Sequence, residues 1–148
     1  MNYSKGRKIY ISLSATALIA VLITIFFLSA QNGEESSSTS GFFTKLIEAV
    51  IGQPANESII RTLAHFCEFA GLGFLMSNFI FSLKDKLKPI LSILLSCAYA
   101  ITDEIHQIFV PDRACQLSDF AVDTAGIILG VVSFCVLILL KCKVLGTK

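Results

Sequence analysis

Residues 9–30, IYISLSATALIAVLITIFFLSA, form a run of 22 positions without a charged side chain. About 20 apolar residues in a helix cross the hydrocarbon core of a bilayer, so this run predicts a transmembrane helix. The basic residues before it also fit the start of a cleaved signal peptide. The length of the run, and Leu28 where a cleavage site needs a small residue, favour a retained anchor instead.

Three more uncharged runs follow, at residues 69–83, 89–102 and 124–140. The first two of these are shorter than the roughly 20 residues of a full span, so polar neighbours must enter the membrane with them. The sequence therefore predicts an all-α, polytopic membrane protein, a single domain over residues 1–148. Its four transmembrane helices are expected at about 9–30, 63–83, 87–109 and 119–140.

The composition of the 148 residues supports this fold class. Hydrophobic residues make up 54% and charged residues 16%, and the mean hydropathy is +0.73. A water-soluble globular domain has about 25% charged residues, so that class of protein is excluded. The sequence shows no basic patch of the kind that binds nucleic acid, and we expect the lipid bilayer as a partner and no nucleic acid.

The charges are distributed unevenly between the two predicted sides of the membrane. The side with both termini and the Lys84–Lys88 turn has nine Lys or Arg residues and one acid, whereas the other side has three and ten. Lys and Arg are concentrated in cytoplasmic loops of membrane proteins. We therefore expect a multi-pass membrane protein with both termini in the cytoplasm.

The segment between helices 1 and 2 has two parts. Residues 31–41, QNGEESSSTSG, have the composition of a flexible outer loop. After them, apolar residues recur with the periodicity of a helix, which predicts a short amphipathic helix on the outer face of the membrane. A helix packed over the bundle fits the same pattern. The apolar residues are Phe42, Phe43, Leu46, Ile47, Val50 and Ile51.

Polar residues gather at the outer ends of helices 2, 3 and 4. An ionisable group at mid-membrane costs about 2.5 kcal/mol or more, so these side chains should face inward and pair. Helical spacing places most of each group on one face, with Glu104 turned about 100° from Asp103. The topology brings the groups to one depth and predicts a polar pocket that opens outward. Its candidates are Arg61, His65, Glu68, Asp103, Glu104, His106, Gln107, Arg113, Asp119 and Asp123.

Helix 4 carries a further pattern on the face that holds its two aspartates. Gly126 and Gly130 are spaced i, i+4 on the stripe of Asp119 and Asp123. Two glycines at this spacing allow another helix to approach closely inside a membrane. We therefore expect a neighbouring helix to pack against this stripe.

Several interpretations of the polar groups remain open. Histidine and carboxylate ligands suit zinc or manganese, and a divalent metal could be held by His65, Glu68, Asp103, His106 and Asp119. Asp119 also fits a helix cap, and the whole set also fits ordinary interfacial polar residues. Arg113 fits an interface anchor as well as a phosphate clamp. The cofactor is unknown from these residues.

The polar groups belong to longer segments of the chain. These segments are FLSAQNG at 27–33, HFCEF at 65–69, AITDEIHQIFVPDR at 100–113, SD at 118–119, and DTAG at 123–126 followed by Gly130. Together they resemble the VanZ-like family of small bacterial membrane proteins. The resemblance extends over nearly the whole chain, and the TDEIHQ block with its downstream Pro111 and Arg113 is highly specific. Phe69 stands where the family usually has Tyr, and Asp112 where it commonly has Gly.

The resemblance implies a cell-envelope protein linked to lower susceptibility to glycopeptide antibiotics such as teicoplanin. It names a phenotype rather than a reaction, so two other functions stay open. One is a membrane-embedded, metal-dependent enzyme acting on a lipid-linked phosphate at the outer leaflet, with Arg61 or Arg113 receiving the phosphate. The other is a non-catalytic helper or a proton-coupled transporter. The expected partners are lipid-linked envelope precursors or glycopeptides.

Overall fold

The structure, a computed structural model, describes residues 3–32, 38, 41–42, 44–46, 48–49, 52–54, 56–111 and 117–146, apart from the side chains at 57 and 145. Within this part of the chain the regular structure is entirely helical. The long helices are α1 (Lys5–Ser29), α2 (Glu57–Lys84), α3 (Pro89–Gln107) and α4 (Leu117–Leu145). The all-α prediction is thereby confirmed.

The helix ends differ from the predicted bounds because charges do not stop a helix, whereas capping residues do. Asn56 accepts a hydrogen bond from the Ser58 amide at 2.9 Å, so α2 begins six residues before the predicted 63. Asp85, in a left-handed conformation with φ 55°, ends α2 at its other end. After Gln107, the Val110 amide bonds the Gln107 carbonyl at 3.1 Å in a turn that leads to Pro111, so α3 stops two residues before 109.

Polar contacts establish the relative directions of the helices. Ser14 donates a hydrogen bond to Ser82 at 2.9 Å, near the start of α1 and the end of α2, so these two helices run antiparallel. Tyr99 donates to the Leu22 carbonyl at 2.6 Å and Gln107 to Ser29 at 3.2 Å, so α3 runs parallel to α1. The start of α1 and the α2–α3 turn therefore lie at one end of the bundle, and the end of α4 lies there too because α4 runs parallel to α2.

Helices α2 and α4 run parallel and touch through their backbones. The Phe74 and Phe134 rings meet edge to face, with centroids 5.3 Å apart. A Cβ atom added at Gly126 would collide with the Phe66 carbonyl oxygen, and one added at Gly130 with the Ala70 carbonyl oxygen. The close approach expected at the two glycines is thus present, and α2 is the helix that makes it.

The apolar core lies among all four helices, but α3 presents an unusual face to it. The buried residues of α3 are small or polar, whereas its large apolar residues, such as Ile90, Leu94 and Ile105, are exposed. This distribution of side chains is the opposite of that in a helix on the surface of a water-soluble protein, where the apolar stripe faces the core. The core residues are Leu18, Ile25, Phe69, Leu72, Met76, Ile80, Ala100, Ile127 and Val131.

Three helical segments are long and apolar enough to cross a membrane: Lys5–Ser29, Ser58–Lys84 and Leu117–Val144. Helix α3 is not one of them, because its 19 residues end in the polar sequence TDEIHQ, which lowers its mean hydropathy. The chain is therefore a membrane protein by the length and composition of three helices. Fully buried side chains of α1, such as Ile25, also make this helix part of the bundle.

The amphipathic helix predicted between α1 and α2 falls partly outside the described residues. The described positions 41–42, 44–46 and 48–49 are helical, and Phe42 and Leu46 are exposed there. Phe43, Ile47, Val50 and Ile51 of the predicted apolar face lie outside the described part of the chain. The position of this segment on the membrane stays a prediction.

Candidate functional site

Five polar side chains from the four helices lie at one level of the bundle, opposite the α2–α3 turn. We call them the polar cluster: Ser29 of α1, His65 of α2, Asp103 and Gln107 of α3, and Asp123 of α4. Four of the five are buried, with exposed fractions of 4% or less, and His65 is half-buried. Such burial of ionisable and amide groups requires that they satisfy one another.

One half of the polar cluster joins α1 to α3 through hydrogen bonds. The Gln107 amide nitrogen donates to the Ser29 hydroxyl at 3.2 Å and to the Asp103 carboxylate at 3.1 Å. Gln107 and Asp103 are spaced i, i+4, so they lie one turn apart on the inner face of α3. One amide group therefore uses both N–H donors to link a carboxylate to the neighbouring helix.

The other half joins α2 to α4 through an imidazole and a carboxylate. His65 Nδ1 lies 3.7 Å from Asp123 Oδ1, and the Asp123 side chain has no solvent exposure. Among the described residues, neither Asp123 oxygen has a hydrogen-bond partner. An ionised carboxylate in such surroundings is stable only beside a positive charge. His65 supplies that charge when it is protonated.

The two halves interact electrostatically, with His65 between two aspartates. The Asp103 carboxylate is within electrostatic reach of both His65 and Asp123. Glu104, the next residue on α3, is also buried, at 4% exposure. Three buried carboxyl groups thus lie on α3 and α4 at the level of one histidine.

The structure corrects the predicted orientation of Glu104 and His106. Asp103, Glu104 and Gln107 form the buried face, whereas His106 is half-buried and stacks on the Phe26 ring at 4.8 Å between centroids. The prediction turned Glu104 away because it lies 100° around the helix from Asp103. Neighbouring helices cover a wider arc of α3 than one stripe, so both carboxyl groups are enclosed.

The remaining candidates lie around the polar cluster. Arg61 and Glu68 are half-buried on α2, on either side of His65, as their spacing predicts. Asp119 is half-buried in the first turn of α4 and accepts a hydrogen bond from the Ser118 hydroxyl at 3.2 Å. Arg113 lies outside the described residues.

The described geometry gives no support to the predicted metal site. In the described ranges, no group of three or more His, Cys, Asp or Glu side chains is arranged so that it could hold a metal ion. His106 stacks on Phe26, and His65 lies beside Asp123, which was not in the predicted ligand set. The ligand set of His65, Glu68, Asp103, His106 and Asp119 therefore stays a sequence prediction.

The roles of two residues, Ser29 and Phe69, are visible only in the structure. Ser29 was not among the candidate residues predicted from the sequence, yet its hydroxyl is the α1 member of the polar cluster. The only signal for it was the FLSAQNG segment of the family resemblance. Phe69 has no solvent exposure and lies in the apolar core, so its ring acts as packing and the missing hydroxyl leaves no unpaired polar group.

This arrangement can hold and exchange a proton. His65 is the one described group of the polar cluster that can be neutral or positive, and two buried aspartates lie within its reach. A change in the protonation of any of the three alters the charge that the other two experience. Imidazole and carboxyl groups arranged in this way form proton relays in membrane proteins.

Comparisons with known proteins give one finding. A family model described as VanZ/LLP1 matches residues 14–139. No curated protein and no solved structure matches. The match covers parts of all four long helices, every residue of the polar cluster and the close α2–α4 contact. The chain therefore belongs to the VanZ-like family.

Proposed function

We propose that this chain spans the bacterial cytoplasmic membrane four times and acts in the cell envelope. In this arrangement both termini and the Lys84–Lys88 turn lie in the cytoplasm, and the polar cluster lies towards the outer face. The antiparallel order of the helices supports it, since nearly all the described Lys and Arg residues fall at one end of the bundle. Lys and Arg mark the cytoplasmic side.

The exposed and buried faces of α3 support a membrane span at this helix, in addition to the three spans that length and hydropathy indicate. Its exposed surface is made of large apolar side chains, and its small and polar residues face the other helices. A helix with this polarity would expose an apolar face to water, but it suits lipid on the outside. At about 1.5 Å per residue, its 19 residues extend roughly 28 Å, close to the thickness of the hydrocarbon core.

The orientation is tested with reporter fusions. A reporter protein that is active only in the cytoplasm should be active when it is fused after Lys148. A reporter that is active only outside the cytoplasm should be active when it is inserted near Ser38. A C-terminus on the external side would place the polar cluster at the inner face and contradict the proposal.

We infer that the protein lowers the susceptibility of the cell to teicoplanin-type glycopeptides. Membership of the VanZ-like family supports this inference, as does a polar cluster near the side where such antibiotics and lipid-linked envelope precursors are found. The observation that carries the site is the fully buried Asp123 beside His65. An enclosed carboxylate is costly to maintain, which favours a functional role.

The inference is tested by expressing the chain in a teicoplanin-susceptible bacterium and measuring the minimal inhibitory concentration. The natural chain should raise it, and Asp123→Asn, Asp103→Asn and His65→Ala should each remove the gain at an unchanged level of membrane-inserted protein. Glu34→Gln, which lies outside the predicted polar pocket, is the control and should keep the gain. No gain from the natural chain would contradict the resistance role, and unaffected variants would contradict the site.

Proton-coupled transport is the second candidate, because the closest carboxylate–imidazole contact of the polar cluster pairs two titratable groups. Vesicles containing the purified protein and an internal pH-sensitive dye test it. A proton flux that Asp123→Asn abolishes would support transport.

The metal-dependent enzyme is tested by elemental analysis of the purified protein, with the His65→Ala variant measured beside it. Bound stoichiometric metal in the natural chain would favour this function.

A further inference from the structure

The end of the bundle opposite the polar cluster has a strong positive charge. We call it the basic end: the α1 start, the α2–α3 turn and the last turns of α4. Its described members include eight Lys or Arg side chains and a single acid, Asp85. The basic residues are Lys5, Arg7, Lys8, Lys84, Lys86, Lys88, Lys141 and Lys143.

The α1 start is fastened to the end of α2 by specific contacts. Arg7 bonds the Asp85 carboxylate at 3.1 Å and donates through Nε to the Ser82 carbonyl at 3.3 Å. Tyr3 donates to the Leu83 carbonyl at 3.2 Å, and the Arg7 guanidinium lies over the Tyr3 ring. These contacts pair Asp85 with Arg7 and hold the α2–α3 turn in one position.

The pairing leaves the three lysines of the turn without an acidic partner in the described chain. Lys84, Lys86 and Lys88 are all exposed, and Asp85, the acid of the basic end among the described residues, is already paired with Arg7. The start of α3 adds to the same positive potential, because no side chain caps it and no acid lies in its first turn. The turn therefore attracts anions.

An apolar surface begins directly beside these lysines. Ile90 is 74% exposed, Leu91 42% and Leu94 61%, all within the first two turns of α3. A partner that fits both features has an anionic head and an apolar tail. In the proposed membrane arrangement this surface faces the acyl chains of the bilayer, so a lipid with an anionic head group can contact the lysines and the apolar side chains together, whereas a soluble phosphate or an acidic peptide would contact the lysines alone.

We propose that the α2–α3 turn is a binding site for an anionic phospholipid. The phosphate of the lipid contacts Lys84, Lys86 and Lys88, and an acyl chain covers the apolar side chains at the start of α3. Each lysine near a lipid phosphate contributes about 1 kcal/mol, which corresponds to about fivefold in affinity. This site rests on the proposed membrane position of α3 and does not depend on the polar cluster.

The proposal is tested on the full-length protein in a neutral detergent. Native mass spectrometry measures the binding of phosphatidylglycerol, with phosphatidylcholine as the neutral lipid. We expect the protein to retain phosphatidylglycerol more strongly, and Lys86→Gln with Lys88→Gln to weaken that binding by about tenfold or more. Unfolding temperatures without lipid establish that the double variant remains folded, and equal binding of the two lipids would contradict the site.

A charge-matched variant distinguishes a defined site from general attraction to the basic end. Lys141→Gln with Lys143→Gln removes the same charge from the end of α4 and should retain most of the binding. An equal loss in the two double variants would overturn the assignment to the turn. Inorganic phosphate in excess should displace little lipid, and full displacement by phosphate would contradict a site that also uses the acyl chain.

Discussion

The polar cluster is built by two parallel pairs of helices that are joined in different ways. Backbones touch in the α2–α4 pair, at Gly126 and Gly130, whereas side chains bridge the α1–α3 pair through Gln107 and Tyr99. The first pair excludes solvent from Asp123 completely, and the second gives Asp103 a hydrogen-bond donor. The pair with close backbones thus contains the carboxylate that is shielded from solvent, whereas the pair joined by side chains contains the carboxylate that accepts a hydrogen bond.

The largest effect is expected where the backbones touch. Gly130→Ala adds a methyl group against the Ala70 carbonyl oxygen and should push α4 away from α2. We expect a loss of more than about 3 kcal/mol, above the range typical of overpacking because the obstacle is backbone that no side-chain rotation can move, measured by thermal unfolding in detergent. Gly71→Ala is the matched control in α2, since its methyl group would meet no atom within 4 Å and alanine favours a helix. Equal unfolding temperatures in the two variants would show that backbone contact does not limit the α2–α4 pair.

The second effect concerns the buried His65–Asp123 contact. Asp123→Ala leaves the imidazole without its carboxylate, and His65→Ala leaves a buried carboxylate without its cation, so each should destabilise the bundle by roughly 3 kcal/mol. Removing both side chains removes the charge that each single variant leaves uncompensated at this contact, so the double variant should be more stable than the sum of the two losses predicts. A coupling energy of about 0.5–3 kcal/mol from the double-mutant cycle would match direct contact. Strict additivity would show that the two side chains act independently.

A smaller effect is expected for Gln107→Leu in the α1–α3 pair. This change keeps the size of the side chain but removes the hydrogen bonds to Ser29 and Asp103, which leaves a buried carboxylate without this donor. The expected cost is about 1–3 kcal/mol in the free energy of unfolding. Ser29→Ala removes only one of the two bonds and should cost less. A larger cost for Ser29→Ala would place the main interaction on α1.

The smallest effect is expected for Tyr99→Phe. The Tyr99 hydroxyl donates to the Leu22 carbonyl at 2.6 Å, but this carbonyl lies inside α1 and keeps its own helical hydrogen bond. Because no buried group is left unsatisfied, the loss should be about 1 kcal/mol or less in unfolding measurements. A loss as large as that of Gln107→Leu would mean that the α1–α3 pair depends on one bond near mid-helix rather than on the polar cluster.

Much of the fold could be predicted from the sequence. Uncharged runs located the four long helices, because a helix in lipid has to be apolar over most of its length. The Gly126–Gly130 spacing predicted a close helix contact, since only glycine leaves room for another backbone. The helix ends were less predictable, because the Asn56 cap that starts α2 lies well before the apolar run.

The pairing of the site residues could be predicted only in part. Spacing correctly placed Asp103 and Gln107 on the inner face of α3, one turn apart. It did not indicate that Glu104 is buried beside them or that His106 stacks on Phe26. These outcomes depend on how much of the α3 circumference its neighbours cover, and the periodicity of a single helix carries no information about that.

The sequence by itself determined the class of protein, the four helices, their alternating direction and the separation of a basic end from a polar end. Composition and helical periodicity act along one chain segment at a time, so they are sufficient for these features. Only the tertiary structure decided that Asp123 pairs with His65 and that Ser29 joins Gln107. Those pairs depend on the rotation of each helix and on the offset between helices. Both are set by where backbones can approach, as at Gly130 and Ala70.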